Sequence, residues 1–159
     1  LAYDSKSPVI IRYPKASVPE HNYVSSNIIW GKANIIKKGK DLSIWATGNE
    51  CQTAVAVAEI LLERGMNAEV NNALFLKPFD DKLLIEKAKK MPIITIEDNC
   101  KSGGLASIVD EILINVKHKK ILHFGWSNDI IPHGSPKKIR ESLGFTAVDI
   151  AKTITADIN

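Results

Sequence analysis

Glu97 and Asp98 stand side by side, and Gly103-Gly104 follow within one short loop. Adjacent carboxylates can move protons or ligate a metal ion. A glycine pair at the start of a helix can let backbone amides approach an anion. Each chemistry has a plainer alternative. No second set of ligands accompanies the carboxylates, so capping and interface use stand beside catalysis. The glycines equally serve a tight strand-to-helix turn. All of these uses stay open for Glu97, Asp98, Gly103 and Gly104 as a possible interface or anion edge. No GxGxxG follows the first strand and no GxxxxGK[ST] occurs, so neither glycine-rich nucleotide device is present.

The other chemistry-bearing residues are dispersed. His21, His118, His123 and His133 match no metal spacing. His133-Gly134 precedes Ser135, a helix cap by type, and reads as a turn. Cys51 and Cys100 have neither a metal-like spacing nor a neighbouring histidine that would make a nucleophile. Two cysteines cannot build a disulfide framework, so a reducing cytoplasm is the expected compartment. The net charge of +3 comes from scattered lysines, which argues against nucleic acid or a membrane as partner. Lys117 to Lys120 reads as a solvated turn. No apolar run approaches the roughly 18 residues of a membrane span, and no signal peptide is visible.

These residues need elements to position them. With 159 residues the chain has room for one domain with a real core. Val9 to Tyr13 is a short apolar run ended by Pro14 and predicts a strand. Residues from about Lys15 to Asn27 lack periodicity and read as a linker. Ile28 to Ile36 and Leu42 to Thr47 flank the turn signal Lys37-Lys38-Gly39-Lys40, so a hairpin with an antiparallel edge is expected. Trp30 and Trp45 would then pack in adjacent strands. Asn49 to Arg64 carries a helical stripe, and Gly65 suits its left-handed cap. Ala68 to Val70 and Ala73 to Leu76 read as extended. Asp80 or Asp81 can cap a helix from Lys82 to Lys90. Pro92 to Ile96 predicts a buried strand, Leu105 to Val116 a helix, Lys120 to Phe124 a strand, and Pro136 to Leu143 and Ala147 to Ile154 two closing helices.

Strands alternating with helices give βαβ units. The expected fold is α/β: a three-layer α/β/α domain with a mostly parallel sheet and an antiparallel edge strand. In such sheets ligands collect beyond the carboxyl ends of the strands. Four polar segments should reach that edge: Thr47 to Glu50, Lys77 to Asp80, Glu97 to Gly104, and Gly125 to Asp129.

Seven segments then occur in order: Ile11 to Lys15, Gly31-Lys32-Ala33, Gly39 to Ile44, Phe75 to Asp80, Glu97-Asp98-Asn99, Gly103-Gly104 and Pro132 to Ser135. The series resembles the C-terminal part of the transketolase superfamily of thiamine-diphosphate enzymes. Within that superfamily it is most similar to the 1-deoxy-D-xylulose-5-phosphate synthase family. Leu105-Ala106 departs from the aromatic-glycine pair of that pattern, Lys15-Ala16 from Arg-Gly, and Phe124 to Asp129 from Gly-hydrophobic-Pro-Asp.

The resemblance implies a division of the chain. Residues 1–16 would end a pyrimidine-binding domain, 17–27 would link, and 28–159 would form the transketolase-like C-terminal domain. It implies an enzyme that joins pyruvate to glyceraldehyde 3-phosphate, releasing CO2 and giving 1-deoxyxylulose 5-phosphate. Thiamine diphosphate and Mg2+ would serve the full-length enzyme through its earlier domains, and none is expected in this part. The partners implied are the remainder of its own chain, a second copy in a homodimer, and small-molecule substrates. Leu1 in place of Met fits a fragment or processed chain, inactive by itself. Arg12 matches the family's arginine for the acceptor's phosphate, a task suited to a planar, permanently charged fork. The alternative is a strand-end arginine in a surface ion pair. Two further readings are a C-terminal half or subunit of a transketolase, and a free-standing anion-binding or interaction domain.

Overall fold

The run Leu42–Ala46 (β2) is buried at every position, which requires packing on both faces. Its even residues Leu42, Ile44 and Ala46 enter one apolar cluster, while Trp45 enters the other. The computed structural model describes residues 1–13 and 27–158. Within them, Asn34–Lys37 (β1), β2, Ala68–Asn72 (β3), Ile93–Cys100 (β4) and Ile121–Trp126 (β5) form one sheet in the order β1-β3-β2-β4-β5. β1 runs antiparallel to β3; the other pairings are parallel.

Helices Glu50–Glu63 (α1) and Ala147–Ile158 (α5) cover one face. They supply Ala54, Val57, Ala58 and Leu61 from α1, and Ile150, Ala151 and Ile154 from α5. Helices Asp81–Lys90 (α2) and Leu105–Leu113 (α3) cover the other face with Leu84, Ala88, Leu105, Val109 and Leu113. A short helix, Pro136–Ser142 (α4), buries no residue. The result is the expected three-layer α/β/α domain with one antiparallel edge. Gly65 ends α1 at φ +83° while its amide donates to the Leu62 carbonyl, the left-handed cap its position predicted.

Several local expectations need correction. The run from Ile28 shortens to β1, and β1 pairs with β3 instead of forming a hairpin with β2. The reason is burial: fully buried β2 takes the centre, with parallel neighbours on both sides, and leaves the edge to half-buried β1. Trp30 consequently lies in the turn before β1, in a tilted contact with Phe75 with centroids 5.2 Å apart. Ala73 to Leu76 follow β3 as irregular backbone. β4 does not stop at Ile96 but runs through Glu97, Asp98, Asn99 and Cys100, with a register shift against β5. Val9 to Tyr13 form no strand; Ile10 is 97% exposed, and no sheet edge among the described residues covers it. Residues 17–26 of the expected linker, His21 among them, lie outside the described residues, as do Pro14, Lys15 and Ala16.

Candidate functional site at the carboxyl edge of the sheet

Glu97 sits near the end of β4, only 2% exposed. Its two carboxylate oxygens accept hydrogen bonds from the backbone amides of Leu105 (2.8 Å) and Ala106 (2.9 Å). Those amides begin α3, where donors have no partner inside the helix and the helix dipole favours an anion. The chain therefore supplies its own anion at this terminus. Gly103 turns the backbone at φ +80°, and its amide donates to Ser107 Oγ at 2.8 Å. Gly104 passes directly over Glu97: a Cβ built there would lie 1.9 Å from Oε2. The glycine pair thus seats an internal carboxylate.

Asp98, the neighbouring carboxylate, points elsewhere. It is exposed, accepts from Trp126 Nε1 at 2.7 Å, and lies 3.4 Å from Arg140 Nη2. Arg140 comes from α4. It holds Glu50, at the first position of α1, through both terminal nitrogens, with Nη1 to Oε2 at 3.2 Å. Its guanidinium also lies 5.5 Å from the Trp126 ring centroid and 5.1 Å from that of Phe145. Burial pulls the Arg140 pKa down. The Glu50 hydrogen bond and the charges of Glu50 and Asp98 outweigh that pull, so the net direction is upward. Glu50 is 1% exposed, and this fork is what satisfies it.

A second cluster joins two of the motif segments. Asp80 caps α2 through the Leu83 amide and also accepts from Lys32 Nζ (3.0 Å) and the Ala33 amide (3.2 Å). Gly31 packs on the ring of Pro78, which follows a cis peptide, and Phe79 lies against Trp45. One carboxylate so ties Gly31-Lys32-Ala33 to Lys77-Pro78-Phe79-Asp80. A third cluster lies under α2: Lys87 pairs with buried Glu69, whose Oε1 also accepts from Ser43 Oγ (3.2 Å) and Asn71 Nδ2 (3.1 Å).

His123 bridges Thr95 Oγ1 (2.7 Å) and Asp110 Oδ1 (3.0 Å). The order hydroxyl, imidazole, carboxylate is that of a nucleophilic triad. The Thr95 hydroxyl is wholly buried in the sheet, so no substrate carbonyl can reach it. Cys51 is likewise no nucleophile: burial first, then the charge of Glu50, pushes its thiol up to about 12. Among the described residues no group of three or more His, Cys, Asp or Glu side chains could hold a metal. No helix among them is long and apolar enough to cross a membrane.

The structure brings Glu97, Gly103 and Gly104 together and puts Asp98 beside them on a separate network. Arg12 is exposed, and no hydrogen bond or ion pair joins it to those residues. The residues that sequence reasoning missed are Arg140 and the Ser43–Glu69–Asn71–Lys87 cluster. Arg140 meets Glu50 across 90 positions, a distance at which no local spacing signals a pair.

The family model for the transketolase C-terminal domain matches residues 31–150. A 1-deoxy-D-xylulose-5-phosphate synthase of Desulforudis audaxviator is 32% identical over 98% of this chain, and one of Clostridium botulinum is 36% identical over 96%. The chain spans 25% of the length of each. Among solved structures, a split-gene transketolase described as an inactive β4 tetramer superposes with a TM-score of 0.80 at 30% identity. That match covers 90% of this chain and 47% of the other. A transketolase of Campylobacter jejuni shares the fold with a TM-score of 0.60 at 20% identity over 80% of this chain and 19% of its own. The matched region begins at Gly31, where the Gly31-Lys32-Ala33 segment meets Asp80, and extends into α5, so the chain belongs to the transketolase C-terminal domain family.

Proposed function

We propose that this chain is the C-terminal part of a thiamine-diphosphate-dependent 1-deoxy-D-xylulose-5-phosphate synthase. The intact enzyme would convert pyruvate and glyceraldehyde 3-phosphate into 1-deoxyxylulose 5-phosphate and CO2. The observation that carries this reading is likeness to synthases over nearly the whole chain, at 32% and 36% identity. On this reading residues 1–16 end the pyrimidine-binding domain, and Arg12 holds the acceptor's phosphate by a bidentate, charge-assisted contact.

The C-terminal domain would support its neighbours and a homodimer, in the cytoplasm, and carry no chemistry alone. The buried carboxylates among the described residues do not fit a cofactor or metal site. The buried carboxylates Glu50, Glu69, Asp80 and Glu97 are each engaged by groups of this same chain. That engagement supports leaving thiamine diphosphate and Mg2+ to the preceding domains, as the likeness to synthases implies. When bound there, thiamine diphosphate supplies the electron sink for the two-carbon unit.

A transketolase half is the second reading, favoured by the split-gene transketolase at a TM-score of 0.80. One assay separates them. The intact enzyme, given pyruvate and glyceraldehyde 3-phosphate, should release CO2 and form the deoxysugar phosphate. Transfer of a two-carbon ketol group between sugar phosphates without CO2 release would establish the transketolase reading instead. Turnover by the 159 residues alone would overturn the supporting role given to them.

A further inference from the structure

One segment of the domain is held quite differently from the rest. Residues 127–138 are exposed throughout, as are 141–144, and α4 contributes nothing to either apolar cluster. The backbone hydrogen bonds of this stretch are internal, Ile139 to Ser135, Leu143 to Ile139 and Gly144 to Glu141, save that the Phe145 amide donates to the Arg140 carbonyl at 2.8 Å where the body resumes. An open cleft of about 540 Å3 separates α4 from α1, lined on the α1 side by Gln52, Thr53 and Ala56. Arg140 crosses this divide, with both terminal nitrogens on Glu50 and one also near Asp98. Apart from that fork, the side-chain hydrogen bonds tying the segment to the body among the described residues come down to Cys100 Sγ on the Ser127 carbonyl at 3.5 Å. The body resumes at Phe145, which is buried.

We propose that residues 127–144 form a hinged strap over the carboxyl edge of the sheet, with Arg140 as its latch. A segment that buries little apolar surface and makes few bonds outside itself opens at a free energy far below that of the whole fold. A bidentate guanidinium on a buried carboxylate is a strong, directional contact, and breaking it leaves a buried charge uncompensated, so it can hold such a segment closed. Opening uncovers Glu50 and releases the already exposed Asp98, and it bares the ring faces of Trp126 and Phe145 that Arg140 now covers. That is the edge at which open α/β sheets receive ligands. The latch therefore decides whether the edge is accessible. This inference is independent of which reaction the intact enzyme runs.

The test is hydrogen exchange followed by mass spectrometry on the intact chain. In the unmutated protein, amides of residues 135–145 should exchange through an opening that responds little to low denaturant, while β2, β3 and β4 need global unfolding. Arg140→Gln should speed exchange in that segment by roughly tenfold or more, as the loss of one strong contact predicts. The core strands should not change, and Arg140→Lys should fall between. Exchange of the segment in step with the core, in the parent protein or in Arg140→Gln, would overturn the strap. Identical segment exchange in the parent and Arg140→Gln would overturn the latch. The parent measurement needs no variant, so a variant that folds poorly leaves the strap tested.

Discussion

Glu97 and Gly104 occupy one space between them: the carboxylate on β4 fills the volume that a side chain at position 104 would need, with Oε2 1.9 Å from the site of a Cβ. The same oxygen accepts the Leu105 amide at 2.8 Å. The missing side chain and the helix cap are therefore one feature. An acidic residue at a strand end and a glycine at a helix start, read separately, suggest a catalytic acid and an anion site. In the fold they satisfy each other.

Gly104→Ala should displace Glu97 from α3. Two helix-terminal donors would lose their acceptor, and a carboxylate now buried would lose its amides. The expected loss is about 1–3 kcal/mol of stability, the cost of unsatisfied buried groups. Urea denaturation at neutral pH measures it. Glu97→Gln, which keeps one acceptor oxygen, should lose less. Parental stability for Gly104→Ala would mean that the carboxylate has another place to go.

Asp80→Ala removes a cap and a tie at once. The amides of Ala33 and Leu83 and the ammonium of Lys32 all address this carboxylate. The cap contributes about 1 kcal/mol. The half-exposed Lys32 adds little, because exposed ion pairs are worth about 0–1 kcal/mol. Asp80→Asn should retain most of the cap. Equal losses for Ala and Asn would show instead that the charge dominates.

The alternation of apolar strands and amphipathic stripes made the layer architecture legible, because each helix stripe is a local property of 10 to 14 residues such as those of α1 and α2. Strand neighbours are not local. The hairpin expected at Lys37 to Lys40 followed the turn signal, yet β1 crosses to β3, since β2 has two faces to bury and belongs in the centre. The extension of β4 was hidden because Glu97 to Asn99 are poor strand formers by type. Tertiary burial of Glu97 overrides that preference. Of the edge residues, Glu97, Asp98, Gly103 and Gly104 were visible as unusual types at a strand-to-helix junction. Arg140 was one more basic residue on a helix until its partner Glu50 was located.

Lys87 and Glu69 form a buried pair whose two ends should differ in cost. Lys87→Met leaves the Glu69 carboxyl under α2 without its cation, with Ser43 and Asn71 as its remaining donors. Removing one partner of a buried pair costs about 3–5 kcal/mol. Replacing both, with Lys87→Met and Glu69→Leu, should recover part of that loss. A double variant as unstable as Lys87→Met would show that the Ser43 and Asn71 bonds, not the pair, carry the cluster.

On the proposed function, Arg12 would link the described chain to the reaction. In the intact enzyme Arg12→Ala should raise KM for the phosphorylated acceptor by roughly ten- to a hundredfold, the loss of a charge-assisted contact worth about 1.5–3 kcal/mol. KM for pyruvate should move little. An unchanged acceptor KM would leave Arg12 as an exposed surface arginine.

Cys51 gives a pH prediction whose sign follows from burial. Its thiol is pushed from an ordinary 9.0 up to about 12, because burial disfavours the thiolate and Glu50 repels it. The neutral thiol is then the folded form, and its contribution is complete below pH 9. As pH rises from 9.0 toward about 12, the unfolded chain ionises Cys51 while the folded chain cannot, so stability is lost across that window. The measurement is a difference that isolates this one thiol: urea denaturation of the parent and of Cys51→Ala at several pH values above and below 9.0. Cys51→Ala should start less stable, because of the cavity, and then lose less as pH rises. Parallel curves would mean that the buried thiol does not resist ionisation. Labelling supplies the second check. At pH 8 a thiol reagent should modify half-exposed Cys100 first and reach Cys51 only as the fold opens, because only the thiolate reacts.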